Sequence, residues 1–160
     1  MSSRKTKSIR IVFLFAALLP LPGCLYITDN GLSLFKPGYM DRDRPVEKVD
    51  IEILDGALAL LDDERHWNHK DDRLCFRDEE WSLFCALAKA SVDVTGEYRH
   101  RRVALQEARF TINDNFHDRW KKHQLMDFNN NKDTTFDDVR RVLLDTKKRL
   151  QQRLLEASVP

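Results

Sequence analysis

The chain has 160 residues, with 27 lysines and arginines against 26 aspartates and glutamates and a formal charge of +1 when histidines are neutral. That length holds one domain with its own core and excludes two, and the near-balanced charge supplies no global argument for nucleic acid. Five glycines, five prolines and a charged fraction of 33% point to an all-α domain with few helix-breakers and heavily solvated faces.

Arg4, Lys5, Lys7 and Arg10 precede an uncharged apolar run, Ile11 to Leu19, and Leu21-Pro22-Gly23 then leads into Cys24. The run is about nine residues long, too short for the roughly 17–25 of a membrane span and suited to a cleaved leader. With leucine three positions before the cysteine and glycine immediately before it, the stretch resembles the lipobox of bacterial lipoproteins, from which Pro22 departs. The resemblance implies removal of residues 1–23 as a signal peptide and acylation of Cys24. It also implies sorting by Leu25 to the outer membrane, facing the periplasm, in a Gram-negative host. An ordinary secretory leader, a buried N-terminal hairpin and a cytoplasmic protein are the alternatives. Two acyl signals at about 0.8 kcal/mol per buried methylene make a stable anchor. The four basic residues of the leader leave with it, taking the formal charge from +1 to −3.

Residues 24–44 read as a lipidated, flexible tether with turn signals at Asp29-Asn30-Gly31 and Lys36-Pro37-Gly38. The helical domain covers 45–160. Its first helix is expected from Pro45 to about Leu61, with Val46, Val49, Ile53, Ala57 and Leu60 on one stripe. Residues 62–78 show no period and read as a loop. The second helix is expected over about 79–95, with Gly96 as its C-terminal cap. A third covers about 100–124, open to interruption at Asn113-Asp114-Asn115. The fourth starts at Thr135, which with Asp138 forms a capping-box pattern. Four amphipathic helices make a compact bundle.

Cys75 and Cys85 are an even pair in the oxidising compartment the leader implies, and a disulfide between them is expected. The alternative is that Cys85 is a small core residue.

Three constellations carry candidate chemistry. Asp127, Asn129, Asn131, Asp133 and Asp138 fall at calcium-loop positions, but Lys132 occupies the position where glycine is needed and Asp138 replaces the longer glutamate. A polar, helix-capping turn is the competing reading. His66 and His69 with Asp71 have metal-ligand spacing only if helical. Arg99, His100, Arg101 and Arg102 form a basic run suited to clamping a phosphate or carboxylate, against a solvated first helical turn with local ion pairs. No metal and no cofactor are required by any motif.

From Trp67 to Leu143 the pattern is similar to an uncharacterised family of small helical bacterial proteins. The residues carrying the likeness are Trp67, Cys85-Ala86-Leu87, Phe128-Asn129-Asn130, Thr135 and Asp138-Val139, with Asn130 departing from the family's aspartate. The likeness implies no catalytic residue and favours a structural role for the acidic turn. The expectation is a lipid-anchored envelope protein, a non-enzymatic binding or structural module whose partner is another envelope protein or an envelope component, with no nucleic acid. An envelope hydrolase using His66, His69 or His100 with carboxylates, and a periplasmic immunity protein, are the alternatives.

Overall fold

The computed structural model describes residues 26–28, 31–33, 42–75 and 79–159. The leader and Cys24 lie outside the described residues. The chain divides into two units, residues 1–36 and 37–160. In the first, β1 (Tyr26–Thr28) pairs antiparallel with β2 (Gly31–Ser33), Tyr26 opposite Ser33 and Thr28 opposite Gly31. Three-residue strands are too short to display an alternating pattern, so the sequence shows only the Asn30-Gly31 turn signal between them.

The second unit is all-α. Helix α1 (Lys48–Leu60) begins three residues after Pro45, because Glu47 is extended and its N–H donates to the Asp50 carboxylate at 3.0 Å. Helix α2 (Leu83–Thr95) starts later than the apolar pattern suggests. Ser82 caps it, accepting from the Cys85 N–H at 3.1 Å, and Gly96 ends it at φ +76°, where a Cβ is disfavoured.

The single helix expected over 100–124 is divided. Helix α3 (Val103–Asn115) stops within the Asn-Asp-Asn stretch, and a 3₁₀ turn follows at His117–Arg119. A separate helix, α4 (Gln124–Asn129), then buries Leu125 and Phe128. The break is fixed by Asp127, whose carboxylate Oδ2 accepts from the N–H groups of Lys121, Lys122 and His123 at 2.9, 2.7 and 3.0 Å. Helix α5 (Phe136–Ala157) opens on the expected capping box: Thr135 Oγ1 accepts from the Asp138 N–H, and Asp138 accepts from the Thr135 N–H.

Helix α1 packs on α2 and α5, α3 packs on α5, and α4 fits against α2 and α3. The core is continuous through Ile53, Leu54, Leu87, Leu105, Ile112 and Leu143, all fully buried. Helices α1 and α2 approach closely at Gly56, where a Cβ would come within 3.0 Å of Ala90 Cβ. Buried Asp50 also links two elements: the oxygen left free by its own capping contact accepts from the Ala104 N–H at 3.2 Å, capping α3 from α1. Cys75 and Cys85 are joined as a disulfide across a Cα–Cα distance of 5.0 Å. Among the described residues no helix is long and apolar enough to cross a membrane.

Candidate functional site

The loop before α2 is held by two asparagines from the end of α4. Asn129, fully buried, accepts from the Trp67 indole N–H at 2.9 Å and the Leu83 N–H at 3.0 Å, and donates to the Asn68 carbonyl at 2.9 Å. Asn130 grips Asp71 by its main chain, accepting from its N–H at 2.6 Å and donating to its carbonyl at 2.9 Å. Asp71 in turn accepts from the Arg73 N–H at 2.7 Å. Arg73 sits in the left-handed region at φ +62°, a conformation that costs a non-glycine residue roughly 1–2 kcal/mol. The Cys75–Cys85 bond fixes the far side of this turn to α2.

So held, Arg73 stands on the rim of a cleft of about 730 Å³ bounded by α2, α3 and the start of α4. The cleft's basic groups are Arg42, Arg73, His100, Arg109, Lys122 and His123, and no aspartate or glutamate stands among its described lining residues. Three rings, Phe84, Tyr98 and Phe110, form its apolar wall together with Leu125 and Met126. Phe84 and Tyr98 meet edge to face, their centroids 6.0 Å apart and their planes at 85°. The Arg42 guanidinium lies over Phe110, 4.6 Å from its centroid, while pairing with Asp114 at 2.7 and 2.9 Å.

His100 is the electrostatic centre of the cleft. Its Nδ1 bonds the Tyr98 hydroxyl at 2.8 Å, and Arg109 Nη2 stands 3.4 and 3.3 Å from its two ring nitrogens. Arg109 is itself anchored, donating through Nη1 to the carbonyls of His100 and Leu105. Burial pushes the imidazole pKa down, and the positive charges of Arg109, Arg101 and Arg73 push it further. Burial raises the Tyr98 phenol against an opposing pull from Arg109. A neutral imidazole beside guanidiniums is an acceptor poised to become a donor when negative charge arrives.

The structure separates the basic run read from the sequence. His100 faces the cleft. Arg99 pairs with Glu97 at 2.5 Å, and Arg102 stands 3.6 Å from both Glu47 and Asp50. Arg99, Arg101 and Arg102 line a different depression, shared with Arg44, Glu47 and Asp50. Acids therefore share the depression that holds the three arginines, and His100 does not join them there.

Four of the five calcium-loop side chains, those of Asp127, Asn129, Asn131 and Asp138, are engaged with the protein. Asp127 and Asn129 lie on α4 and are occupied as described, Asn131 Oδ1 accepts from the Asp133 N–H at 2.9 Å, and Asp138 accepts from Arg119 at 2.7 Å as well as capping α5. A helix through the first positions of the loop removes the turning geometry a calcium loop requires. His66 bonds Asp62 at 2.7 Å, and His69 tilts against Trp67 with centroids 4.7 Å apart and contacts the Asn131 carbonyl. His66 and His100 line separate clefts. Among the described residues no group of three or more histidines, cysteines, aspartates or glutamates is placed to hold a metal.

Arg42, Arg73, Arg109 and Phe110 escaped the sequence reading. They come from three separate stretches of chain, and no local pattern marks them as a site.

The described features define a small, disulfide-stapled helical domain with a basic cleft walled by aromatic rings. Residues 46–149 match the model of DUF6197, a family of unknown function, and the chain belongs to that family. This agrees with the likeness to an uncharacterised family seen between Trp67 and Leu143. Neither the curated proteins nor the solved structures contain a match.

Proposed function

We propose that this protein is a lipid-anchored component of the bacterial envelope that binds an anionic ligand without transforming it. One observation carries the binding role: six basic side chains and three rings share a cleft whose described lining contains no carboxylate. Guanidiniums offer planar, forked donor sets suited to phosphate and carboxylate, and His100 supplies a further donor once protonated. The anchor is supported by the order of the first residues, a basic leader, a short apolar run and Leu21-Pro22-Gly23-Cys24. Leu25 favours an outer-membrane destination. A domain tethered there meets phosphorylated and carboxylated envelope components at high local concentration.

Titration of the full-length, disulfide-bonded chain with inorganic phosphate, followed by NMR, tests the cleft. Saturable shifts at Tyr98, His100 and Arg109 that weaken in Arg73→Ala are expected; absence of saturable shifts there overturns the binding role. Acyl labelling in cells tests the anchor separately. Label and membrane association are expected to vanish in Cys24→Ala, and their survival overturns the lipid attachment.

A further inference from the structure

Resting on the anion-binding role above, we infer that the cleft is selective for anions joined to a planar aromatic ring, the class of aryl phosphates and aryl carboxylates. A bare inorganic ion uses the cations and leaves the rest of the cleft wet. The cleft, at about 730 Å³, is far larger than such an ion and lies within the roughly 300–1,000 Å³ typical of small-molecule sites.

Its wall is aromatic where a ligand's body would lie. The edge-to-face pair of Phe84 and Tyr98 leaves the tyrosine 38% exposed, and an inserted ring offers the offset or edge contacts that aromatic pairs prefer at roughly 4.5–7 Å between centroids. Phe110, in the same lining, carries the Arg42 guanidinium over its ring at 4.6 Å, and a guanidinium stacks on aromatic faces. Three rings beside six basic groups suit a flat body bearing one charged end, and Leu125 and Met126 add aliphatic surface to the same lining.

The charged end belongs near His100. There the Tyr98 hydroxyl, the imidazole and Arg109 meet within hydrogen-bond contact, and Arg73 stands on the rim. An acid group placed among them gains charge-assisted donors while its ring reaches Phe84, Tyr98 and Phe110.

Calorimetric and NMR titration of the full-length oxidised chain with phenyl phosphate, inorganic phosphate and glycerol 3-phosphate, at one pH and ionic strength, tests the inference. Phenyl phosphate is expected to bind roughly five- to ten-fold more tightly than inorganic phosphate, with glycerol 3-phosphate close to the inorganic ion. Phe110→Leu and Phe84→Leu keep apolar bulk and remove a ring; at least one is expected to bring the ratio of phenyl phosphate to inorganic phosphate affinity close to one. Arg73→Ala is expected to weaken all three ligands by a similar factor. Equal binding of phenyl and inorganic phosphate overturns the inference and leaves the anion site standing. So does glycerol 3-phosphate matching phenyl phosphate, or a preference that survives in both leucine variants. Binding of none of the three overturns the anion site and the inference with it.

Discussion

The indole N–H of Trp67 donates to the side-chain oxygen of Asn129 at 2.9 Å, joining residues 62 apart in the chain. The same oxygen receives the Leu83 N–H at the start of α2, and the Asn129 amide nitrogen returns a bond to the Asn68 carbonyl. One buried amide thus ties the 67–71 loop, α2 and α4 together. Asn129→Ala strands two buried donors and one acceptor and is expected to cost about 2–4 kcal/mol. Trp67→Phe removes one donor while the Asn129 oxygen keeps the Leu83 N–H, and about 1 kcal/mol is expected. Urea unfolding of both variants and of the double mutant checks this, with sub-additive losses expected because the two residues share a bond.

Loss of the Cys75–Cys85 bond acts on stability and on the cleft at once. Closing so short a loop is worth on the order of 3 kcal/mol in the chain-entropy model, and Cys75→Ser with Cys85→Ser is expected to lose about that much. The same double variant frees the turn that presents Arg73, so its affinity for phosphate is expected to fall while Arg73→Ala loses affinity with the disulfide intact. Thermal unfolding and phosphate titration of the two variants separate the effects.

Anion binding is expected to strengthen on acidification. Burial and the charges of Arg109, Arg101 and Arg73 hold the His100 imidazole below its ordinary 6.5 in the free protein; the Tyr98 hydroxyl, bonded to Nδ1, is the other titratable group against it. A bound anion favours the imidazolium, so binding takes up a proton and affinity rises as pH falls below the ordinary value. Sulfate keeps its charge over this range and is the suitable probe. Its affinity is expected to rise roughly two- to five-fold between about pH 7.5 and about pH 5.5, and His100→Gln is expected to flatten the profile.

Asp114 sets part of the acid sensitivity of the fold. The Arg42 hydrogen bonds, and after them that of Arg149, hold its pKa down to about 2, against the upward push of burial. A carboxyl whose pKa falls on folding contributes stability that is present above its unfolded value and is lost as pH falls through the folded one. The window therefore runs from the ordinary 3.8 down to about 2. Arg42 is 48% exposed on its side chain, so solvent screening limits the contribution, and Asp114→Asn is expected to cost about 0.5–1 kcal/mol at neutral pH. Urea unfolding across that window is expected to show a shallower acid loss in the variant.

The all-α class, the four long helices and both helix caps at Gly96 and Thr135 were legible because each rests on residues within a few positions of one another. The apolar stripe of α1, the glycine with φ above zero and the Thr-x-x-Asp box are local events, and helical periodicity announces them. The Cys75–Cys85 pairing was legible for the same reason, since the two lie close in the chain. The division of the third helix was only half legible. Asn113-Asp114-Asn115 marks where α3 ends, but α4 depends on Asp127 reaching back to three backbone N–H groups, and its acidic and asparagine residues imitate a calcium loop.

Sequence alone determined the helical class of the domain and the positions of its principal caps, because these follow from backbone hydrogen bonding and apolar spacing over short distances. Tertiary structure decided which basic residues act together. Within the run from Arg99 to Arg102, His100 lines one cleft and the three arginines another, while Arg73 and Arg109 join His100 from other positions along the chain. Side-chain direction changes with every residue along a turn, so adjacency in sequence does not make a site. Convergence required the 67–75 loop to be pinned by Asn129, Asn130 and Cys85, and those contacts exist only once α2 and α4 have packed.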